Sequence, residues 1–255
     1  MQAVVLAGGL ATRMHPQTLT VPKSMLDVAG RPFVDWQLER LAASGIEEVV
    51  MCVGYLGDQI RQHVGDGERY GLRVVWSEDA AASAGGSSRK AAGGSPDADV
   101  QPGLLGTAGA VRAALHILAP AFLVTYGDSY LPFDYSEPLR ELARHDDCDG
   151  VMAAYKNDGR WDASNVITDG VWILRYGKGA REVAFDHIDY GATALRREVI
   201  AALPLGKRHG LDAIQRDLSL RKRLRAYIAH ERFFEIGSPE GLAELGRLLV
   251  KRSSI

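Results

Sequence analysis

The chain has 255 residues, of which 46% are hydrophobic and 24% are charged, values typical of a globular protein of one large or two small domains. Its formal net charge of -2 argues against a protein that binds nucleic acid or a membrane surface through overall charge. The two cysteines exclude a disulfide scaffold and suit the cytoplasm. No apolar run reaches the roughly 18 residues needed to span a bilayer.

The first 76 residues alternate between short apolar runs and helical spacing. The runs 3–7, 48–53 and 72–76 predict strands that are buried on both faces. Helical spacing follows Pro32, and a shorter helix is predicted around Ile60. This order predicts an α/β domain with a mainly parallel sheet.

Residues 80–103 interrupt the pattern, because Ala, Gly and Ser dominate them. This composition predicts a flexible surface insertion. Two interpretations remain open at this point: a solvated linker, or a lid over a site.

The second half of the chain returns to alternating elements, with strands that end in glycine and polar residues. A buried strand at 121–126 ends at Gly127-Asp128, and short strands between 165 and 194 predict a mixed or antiparallel part of the sheet. The remaining predicted elements are helices at 109–118, around Leu139, at 199–203, 211–220 and 239–250, and strands at 150–155, 226–229 and 233–236.

The loop after the first strand carries the chemistry of a phosphate site. Gly8-Gly9 allows backbone N–H groups to approach a polyphosphate, and Arg13 and Lys23 supply positive charge. The loop matches neither the P-loop nor the Gly-x-Gly-x-x-Gly pattern. From the residues alone, an ordinary turn therefore remains an alternative.

The run from Leu6 to Pro16, continued by Thr18 and Pro22-Lys23, resembles the sugar-1-phosphate nucleotidyltransferases, whose pattern is L-A-G-G-x-G-T-R-L-x-P-x-T-x-x-x-P-K. The resemblance implies a three-layer α/β/α, Rossmann-like nucleotide-diphospho-sugar transferase fold with a mixed, mainly parallel central sheet. It implies transfer of a nucleotidyl group from an NTP to a sugar 1-phosphate. Ala11 stands where the family has Gly, which predicts a backbone with little positive-φ character there.

On the nucleotide side, the resemblance makes Arg13 and Lys23 catalytic residues that hold the phosphates. It assigns nucleotide binding to Leu6, Ala7, Gly8, Gly9, Gln101, Gly106 and Thr107. Gln101 is the implied reader of the base and favours uracil or thymine, while the compact length and Gly127-Asp128-Ser129 resemble the guanylyltransferases of the family. The base stays open.

The implied cofactor is Mg²⁺, with Asp128 as one ligand. Glu235 takes the place of the family's second Asp, one methylene longer. We expect Phe233, Phe234 and Ile236 to bury the Glu235 carboxylate, which would then need a cation. A Glu that faces solvent at the end of a strand is the alternative.

On the sugar side, Lys178 resembles the Lys that holds the sugar phosphate, although Gly177 replaces the Glu that usually precedes it. Asn165 and the segment Tyr190-Gly191 resemble sugar-pocket residues of the family.

The expected organisation is a single nucleotidyltransferase domain over residues 1–255. Residues of about 1–145 are expected to bind the nucleotide, and about 146–240 the sugar phosphate. Two rivals remain: a glycosyltransferase of similar fold, and a non-catalytic homologue that binds nucleotide sugar. The sugar and the oligomeric state, including a homo-oligomer, stay open.

Overall fold

The computed structural model describes residues 1–9, 11–78, 105–177 and 184–253. The predicted insertion at 80–103, together with Gln101 and Lys178, lies outside the described residues. The strands are β1 (Gln2–Ala7), β2 (Asp27–Val28), β3 (Arg31–Pro32), β4 (Glu48–Val53), β5 (Arg73–Glu78), β6 (Ala121–Tyr126), β7 (Ser129–Tyr130), β8 (Gly150–Lys156), β9 (Val166–Thr168), β10 (Ile173–Tyr176), β11 (His187–Arg196), β12 (Leu224–Ala229) and β13 (Phe234–Glu235). The helices are α1 (Phe33–Ala43), α2 (Gly57–Val64), α3 (Gly106–Ala113), α4 (Glu137–Arg144), α5 (Arg197–Ala201), α6 (Leu211–Leu220) and α7 (Pro239–Ser253).

The described part of the chain is built on a nine-stranded sheet. Its main path is β5–β4–β1–β6–β11–β8–β12, and β9 and β10 extend it beside the start of β11. Strands β5, β4, β1 and β6 are parallel, and so are β8 and β12, whereas β11 runs antiparallel to β6 and β8. The carboxyl ends of six strands therefore meet at one edge of the sheet, which is where parallel α/β sheets bind ligands.

Helices cover both faces of the sheet because its strands are apolar on both sides. In β1, Val5 packs in one core cluster with Leu38 of α1 and Leu142 of α4. Its neighbour Val4 packs in the opposite cluster with Val111 of α3. Successive side chains of a strand point to opposite faces, so one continuous apolar run supplies both cores.

A third apolar cluster holds α7 against the two small ribbons, β2–β3 and β7–β13. Leu245 and Leu249 of α7 pack there with Val28 and with Tyr130 of β7. Ile236, directly after β13, is completely buried in the same cluster. The C-terminal helix therefore fixes the ribbon that carries Glu235.

The predicted helix at 109–118 is displaced in the structure. Helix α3 begins at Gly106 and ends at Ala113, and a separate 3-10 turn covers Leu115–Ile117. The backbone N–H groups of Ala108 and Gly109 both donate to the carbonyl of His209, at 2.9 and 3.1 Å. A distant segment thus accepts the hydrogen bonds of N–H groups in the first turn of α3. The local spacing of apolar residues could not indicate this start of the helix.

Among the described helices, none is both long enough and apolar enough to cross a membrane.

We expect Leu245→Ala to lower the free energy of unfolding by about 2–5 kcal/mol, because it opens a cavity under the β7–β13 ribbon. The matched control is Leu220→Ala, since Leu220 is 71% exposed and should change stability by about 0.5 kcal/mol or less. Urea denaturation followed by circular dichroism measures both variants. Equal effects of the two substitutions would contradict this account of the C-terminal helix.

Candidate active site

A cavity of about 280 Å³ opens at the carboxyl ends of β1, β4, β5 and β6. Six of the predicted nucleotide-binding residues line it: Leu6, Ala7, Gly8, Gly9, Gly106 and Thr107. The predicted Lys23 and Asp128 line it as well, whereas Gln101 is not among the described residues. The structure thus brings together residues that are more than 100 positions apart in the sequence.

Backbone atoms form the floor of the cavity, because the residues that follow neighbouring strands approach one another closely. A Cβ atom on Gly8 would lie 3.3 Å from the backbone nitrogen of Gly54, after β4. A Cβ atom on Gly127 would lie 3.0 Å from the carbonyl oxygen of Leu6, which accepts a hydrogen bond from the Gly127 N–H at 2.9 Å. Side chains at these positions would separate the strands, so glycine keeps the floor open to a ligand.

The prediction for Ala11 is wrong. Ala11 adopts a left-handed conformation with φ of 51° and ψ of 41°. Its carbonyl accepts hydrogen bonds from the Met14 N–H at 3.0 Å and from the buried Thr18 hydroxyl at 2.8 Å. These contacts hold the loop in a conformation that costs an alanine energy, since its Cβ crowds the following carbonyl.

The two predicted basic residues come together over Gly237. A Cβ atom on Gly237 would lie 3.7 Å from the Arg13 Nη2 and 3.7 Å from the Lys23 Nζ. The Lys23 ammonium also donates to the Asp128 Oδ2 at 2.8 Å. Gly237, in the loop after β13, therefore lies beside charges from two other segments, the loop after β1 and the end of β6.

The two predicted metal-binding carboxylates are neighbours across the small ribbon. Glu235 of β13 pairs with Ser129 of β7, and the Ile236 N–H donates to the carbonyl of Asp128 at 3.0 Å. Among the described residues there is no group of three or more His, Cys, Asp or Glu side chains that could hold a metal alone. Two protein carboxylates suit a cation that keeps water or phosphate oxygens as its other ligands.

The expectation that Glu235 is buried is wrong in part. Phe233 and Ile236 are buried, but the Glu235 side chain is exposed in the cleft. The walls of the cleft nevertheless remove part of its solvation. This desolvation, followed by the negative charge of Asp128, raises the pKa of Glu235 above its ordinary value of 4.5, although Lys23 and Arg13 oppose the shift.

The start of α3 is fixed by the segment before α6. Gly106 has φ of 71°, and a Cβ atom there would lie 2.6 Å from the carbonyl oxygen of His209. The Thr107 hydroxyl accepts a hydrogen bond from the Leu211 N–H at 2.8 Å. Thr107 thus already holds α6 in place, in addition to lining the cavity.

Asn165, Tyr190 and Gly191, the described members of the predicted sugar-side set, are not among the residues that line this cavity. The Asn165 Oδ1 accepts from the Asp189 N–H at 2.8 Å, and the buried Tyr190 hydroxyl donates to the carbonyl of Glu231 at 2.8 Å. Gly191 has φ of 91° and lies beside Ser129 and Tyr126. Lys178 lies outside the described residues.

The sequence reasoning missed four polar residues that line the cavity: Ser24, Ser77, Glu78 and Tyr126. Ser77 and Glu78 are the last residues of β5. The predicted strand at 72–76 already pointed to them, because ligands bind at the carboxyl ends of parallel strands.

A family model described as "Nucleotidyl transferase" matches residues 2–161, more than half of the chain. N-acetylmuramate alpha-1-phosphate uridylyltransferase of Neisseria meningitidis is 36% identical over 137 residues, which are 53% of this chain and 50% of that protein. The chain thus spans about half the length of that relative.

Two further similarities cover almost the whole chain. D-glycero-alpha-D-manno-heptose 1-phosphate guanylyltransferase of Campylobacter jejuni is 24% identical over 241 residues, which are 94% of this chain and 96% of that protein. The crystal structure of HddC from Yersinia pseudotuberculosis complexed with GMP-PN has a TM-score of 0.71 and 23% identity, covering 97% of this chain and 99% of that one. This likeness confirms the predicted α/β fold.

We expect Glu235→Gln to raise the melting temperature at pH 7 in the presence of EDTA. The folded-state pKa of Glu235 is raised, so its ionisation favours the unfolded chain, and this cost develops as the pH rises above about 4.5. The gain in melting temperature should disappear below about pH 4, where the Glu235 carboxyl group is protonated in both the folded and the unfolded chain. The control is Glu198→Gln, an exposed carboxylate outside the cavity. A lower melting temperature of Glu235→Gln at pH 7 would contradict the sign of the shift.

We expect Ala11→Gly to stabilise the folded chain by up to about 1 kcal/mol. Glycine removes the left-handed penalty of an alanine, about 1–2 kcal/mol, at an entropy cost of about 0.5–1 kcal/mol. The same change at Ala42, inside α1, should instead destabilise by about 1 kcal/mol. Urea denaturation compares the free energies of unfolding of the two variants. If both substitutions changed this free energy in the same direction, the assignment of strain to Ala11 would be refuted.

Proposed function

We propose that this chain, which belongs to the nucleotidyl transferase family, transfers a nucleotidyl group from an NTP to a sugar 1-phosphate and releases pyrophosphate. The observation that carries the proposal is the meeting of Arg13, Lys23, Asp128 and Glu235 beside a glycine-lined cavity. The relatives named above support it, because the names of two describe nucleotidyl transfer to a sugar 1-phosphate.

In this proposal, Arg13 and Lys23 hold the phosphates that leave as pyrophosphate. Charge develops on the leaving group during the transfer, and preorganised cations stabilise that charge more strongly than they stabilise the ground state. Backbone N–H groups of the Gly8-Gly9 loop would contribute in the same direction. The side chains do no covalent chemistry; they position the phosphates and neutralise their charge.

Asp128 and Glu235 fit a Mg²⁺ ion, because this cation is commonly held by one or two carboxylates together with substrate phosphates and water. Bound there, the ion would supply positive charge that offsets the negative charge of the phosphates. The Lys23 ammonium donates to one oxygen of Asp128. Lys23 would therefore lie next to the metal ligand Asp128 while it holds the phosphates.

The attacking phosphate would lie on the other side of the reacting phosphorus. We assign residues of about 146–240 to the sugar phosphate and about 1–145 to the nucleotide, within one domain of 1–255. Lys178 would orient the attacking oxygen in line with the leaving group. Asn165, Tyr190 and Gly191 would act mainly by shaping the backbone, since the Asn165 amide and the Tyr190 hydroxyl already bond within the protein.

The direct test is a panel of NTPs against sugar 1-phosphates, scored by pyrophosphate release with and without Mg²⁺. Activity of at least one pair, dependent on both substrates, supports the proposal. Hydrolysis of a nucleotide sugar in place of pyrophosphate release would favour a glycosyltransferase-like enzyme. Binding of a nucleotide sugar with no turnover of any pair would favour a non-catalytic homologue.

We expect Arg13→Ala to lower kcat/KM by about 10²-fold or more, because a charge-assisted contact to the leaving group is lost. Arg13 is exposed in a loop, so the melting temperature should change little. The control is Arg216→Ala, which removes an exposed guanidinium from α6, away from the cavity. Unchanged pyrophosphate release by Arg13→Ala would overturn the assignment of the loop.

A further inference from the structure

A buried serine lies in the wall of the active-site cavity with its hydroxyl group unpaired. Ser24 lines the cavity together with Lys23, and it is only 3% exposed. Its Oγ atom is shielded from solvent and has no hydrogen-bond partner in the part of the chain that the structure describes. A buried polar group without a partner has lost its hydration and gained no contact in return, so this hydroxyl requires an explanation.

The other buried serines and threonines of the described segments do not share this feature. Each of their hydroxyl groups has a hydrogen-bond partner. The Thr18 hydroxyl, for example, donates to the carbonyl of Ala11 at 2.8 Å, and the Ser136 hydroxyl donates to the Asp134 Oδ1 at 2.6 Å. The fold therefore satisfies the buried hydroxyls elsewhere, and the exception lies in the wall of the cavity.

The position of Ser24 is fixed by its backbone. Ser24 is the middle residue of a 3-10 turn, Lys23–Met25. The Leu26 N–H closes this turn by donating to the carbonyl of Lys23 at 3.1 Å. The Leu26 carbonyl accepts in turn from the N–H of Phe33, the first residue of α1, at 3.0 Å. Contacts that do not involve the hydroxyl thus hold Ser24 at the wall of the cavity.

Phosphate oxygens are the acceptors that suit this hydroxyl. Ser24 directly follows Lys23, whose ammonium donates to the Asp128 Oδ2 at 2.8 Å and is assigned above to the phosphates that leave as pyrophosphate. A hydroxyl is a donor without charge, so it adds a contact to phosphate and leaves the balance of charge between Lys23 and Asp128 unchanged. A hydrogen bond to a charged acceptor is roughly twice as strong as one between neutral groups.

We propose that the Ser24 hydroxyl donates a hydrogen bond to the pyrophosphate group of the bound NTP, an inference that rests on the proposed nucleotidyl transfer. The ligand supplies the partner that the folded chain lacks. The hydroxyl then destabilises the unliganded chain, because its desolvation is not compensated, and stabilises the complex, because a phosphate oxygen accepts its hydrogen bond. Removal of the hydroxyl should therefore change stability and binding in opposite directions.

The test uses the full chain in four forms: wild type, Ser24→Ala, Ser24→Cys and Ser136→Ala. The probe is inorganic pyrophosphate with Mg²⁺, and calorimetry measures its Kd. We expect Ser24→Ala to raise this Kd by about 10- to 100-fold, because a hydrogen bond to a charged group is lost. Ser24→Cys should show a similar loss, since a thiol replaces the hydroxyl with a weak donor. Ser136→Ala removes a hydroxyl outside the cavity and should bind pyrophosphate like the wild type.

Thermal unfolding without ligand supplies the second measurement. Ser24→Ala should melt about 2–4 °C above the wild type, because it removes an unpaired buried hydroxyl. Ser136→Ala should melt below the wild type, because it removes a paired one. If Ser24→Ala melted below the wild type and bound pyrophosphate equally well, the hydroxyl would have a structural partner such as an ordered water. An unchanged Kd of either Ser24 variant overturns the inference, whatever its melting temperature.

Kinetics separate this inference from the proposed function. With an NTP and a sugar 1-phosphate that the wild type turns over, Ser24→Ala should lower kcat/KM for the NTP by about 10-fold or more. The KM for the sugar 1-phosphate should stay nearly unchanged. Turnover by Ser24→Ala at the wild-type kcat/KM would overturn the inference and leave nucleotidyl transfer intact. If the wild type turns over no NTP, the proposed function fails, and the Kd values for pyrophosphate still decide the role of Ser24.

Discussion

The contact between the Lys23 ammonium and the Asp128 carboxylate, at 2.8 Å, joins the two parts of the chain that form the candidate site. Lys23 comes from the loop after β1, and Asp128 follows β6, the neighbour of β1 in the sheet. The side chains are 15% and 30% exposed, so each charge has lost much of its hydration and relies on the other. The pair therefore links the loop after β1 to the end of β6, directly before the β7–β13 ribbon.

The same pair helps to explain how two carboxylates, Asp128 and Glu235, can lie close together. Desolvation, and after it the charge of Asp128, raises the pKa of Glu235, and the ammonium of Lys23 and the guanidinium of Arg13 act against that effect. Positive groups from one loop thus face negative groups from two other segments. Phosphates and a cation that bind here would form ion pairs with these groups in place of the ion pairs that the groups form with one another.

The sheet topology decides how these charges relate to the rest of the cavity. Four parallel strands, β6, β1, β4 and β5, end along one line. Their loops can therefore contact an elongated ligand at successive points. Charged groups lie at the β6 end, backbone glycines follow β1, small apolar side chains line the middle, and the Glu78–Arg61 pair lies at the β5 end. One ligand could use polar contacts at both ends and apolar contacts between them.

Stability and site geometry are coupled through α7. The buried Leu245 and Ile236 fix the ribbon from which Glu235 extends, while Glu235 itself remains exposed. A carboxylate on a firmly packed backbone keeps its position without the full cost of burying a charge.

Much of the fold follows from the sequence. The apolar runs that became β1, β4 and β6 are long enough and uniform enough to predict buried parallel strands, and the glycines after them predict where the chain turns. The loop from Leu6 to Lys23 carried the family resemblance, because its spacing of glycine, arginine and lysine is local in the chain. Local patterns of this kind are encoded within a few residues, so the sequence by itself determined the α/β class and the family.

Other features were decided only by tertiary structure. Ala11 is left-handed because Thr18 and Met14 bind its carbonyl, and α3 begins at Gly106 because His209, about 100 residues later, accepts its first N–H groups. Glu235 is exposed although Phe233 and Ile236 are buried, and Glu78 lines the cavity because β5 lies next to β4. Each of these depends on contacts between distant segments, whose energies are set by packing and solvation that no local pattern records.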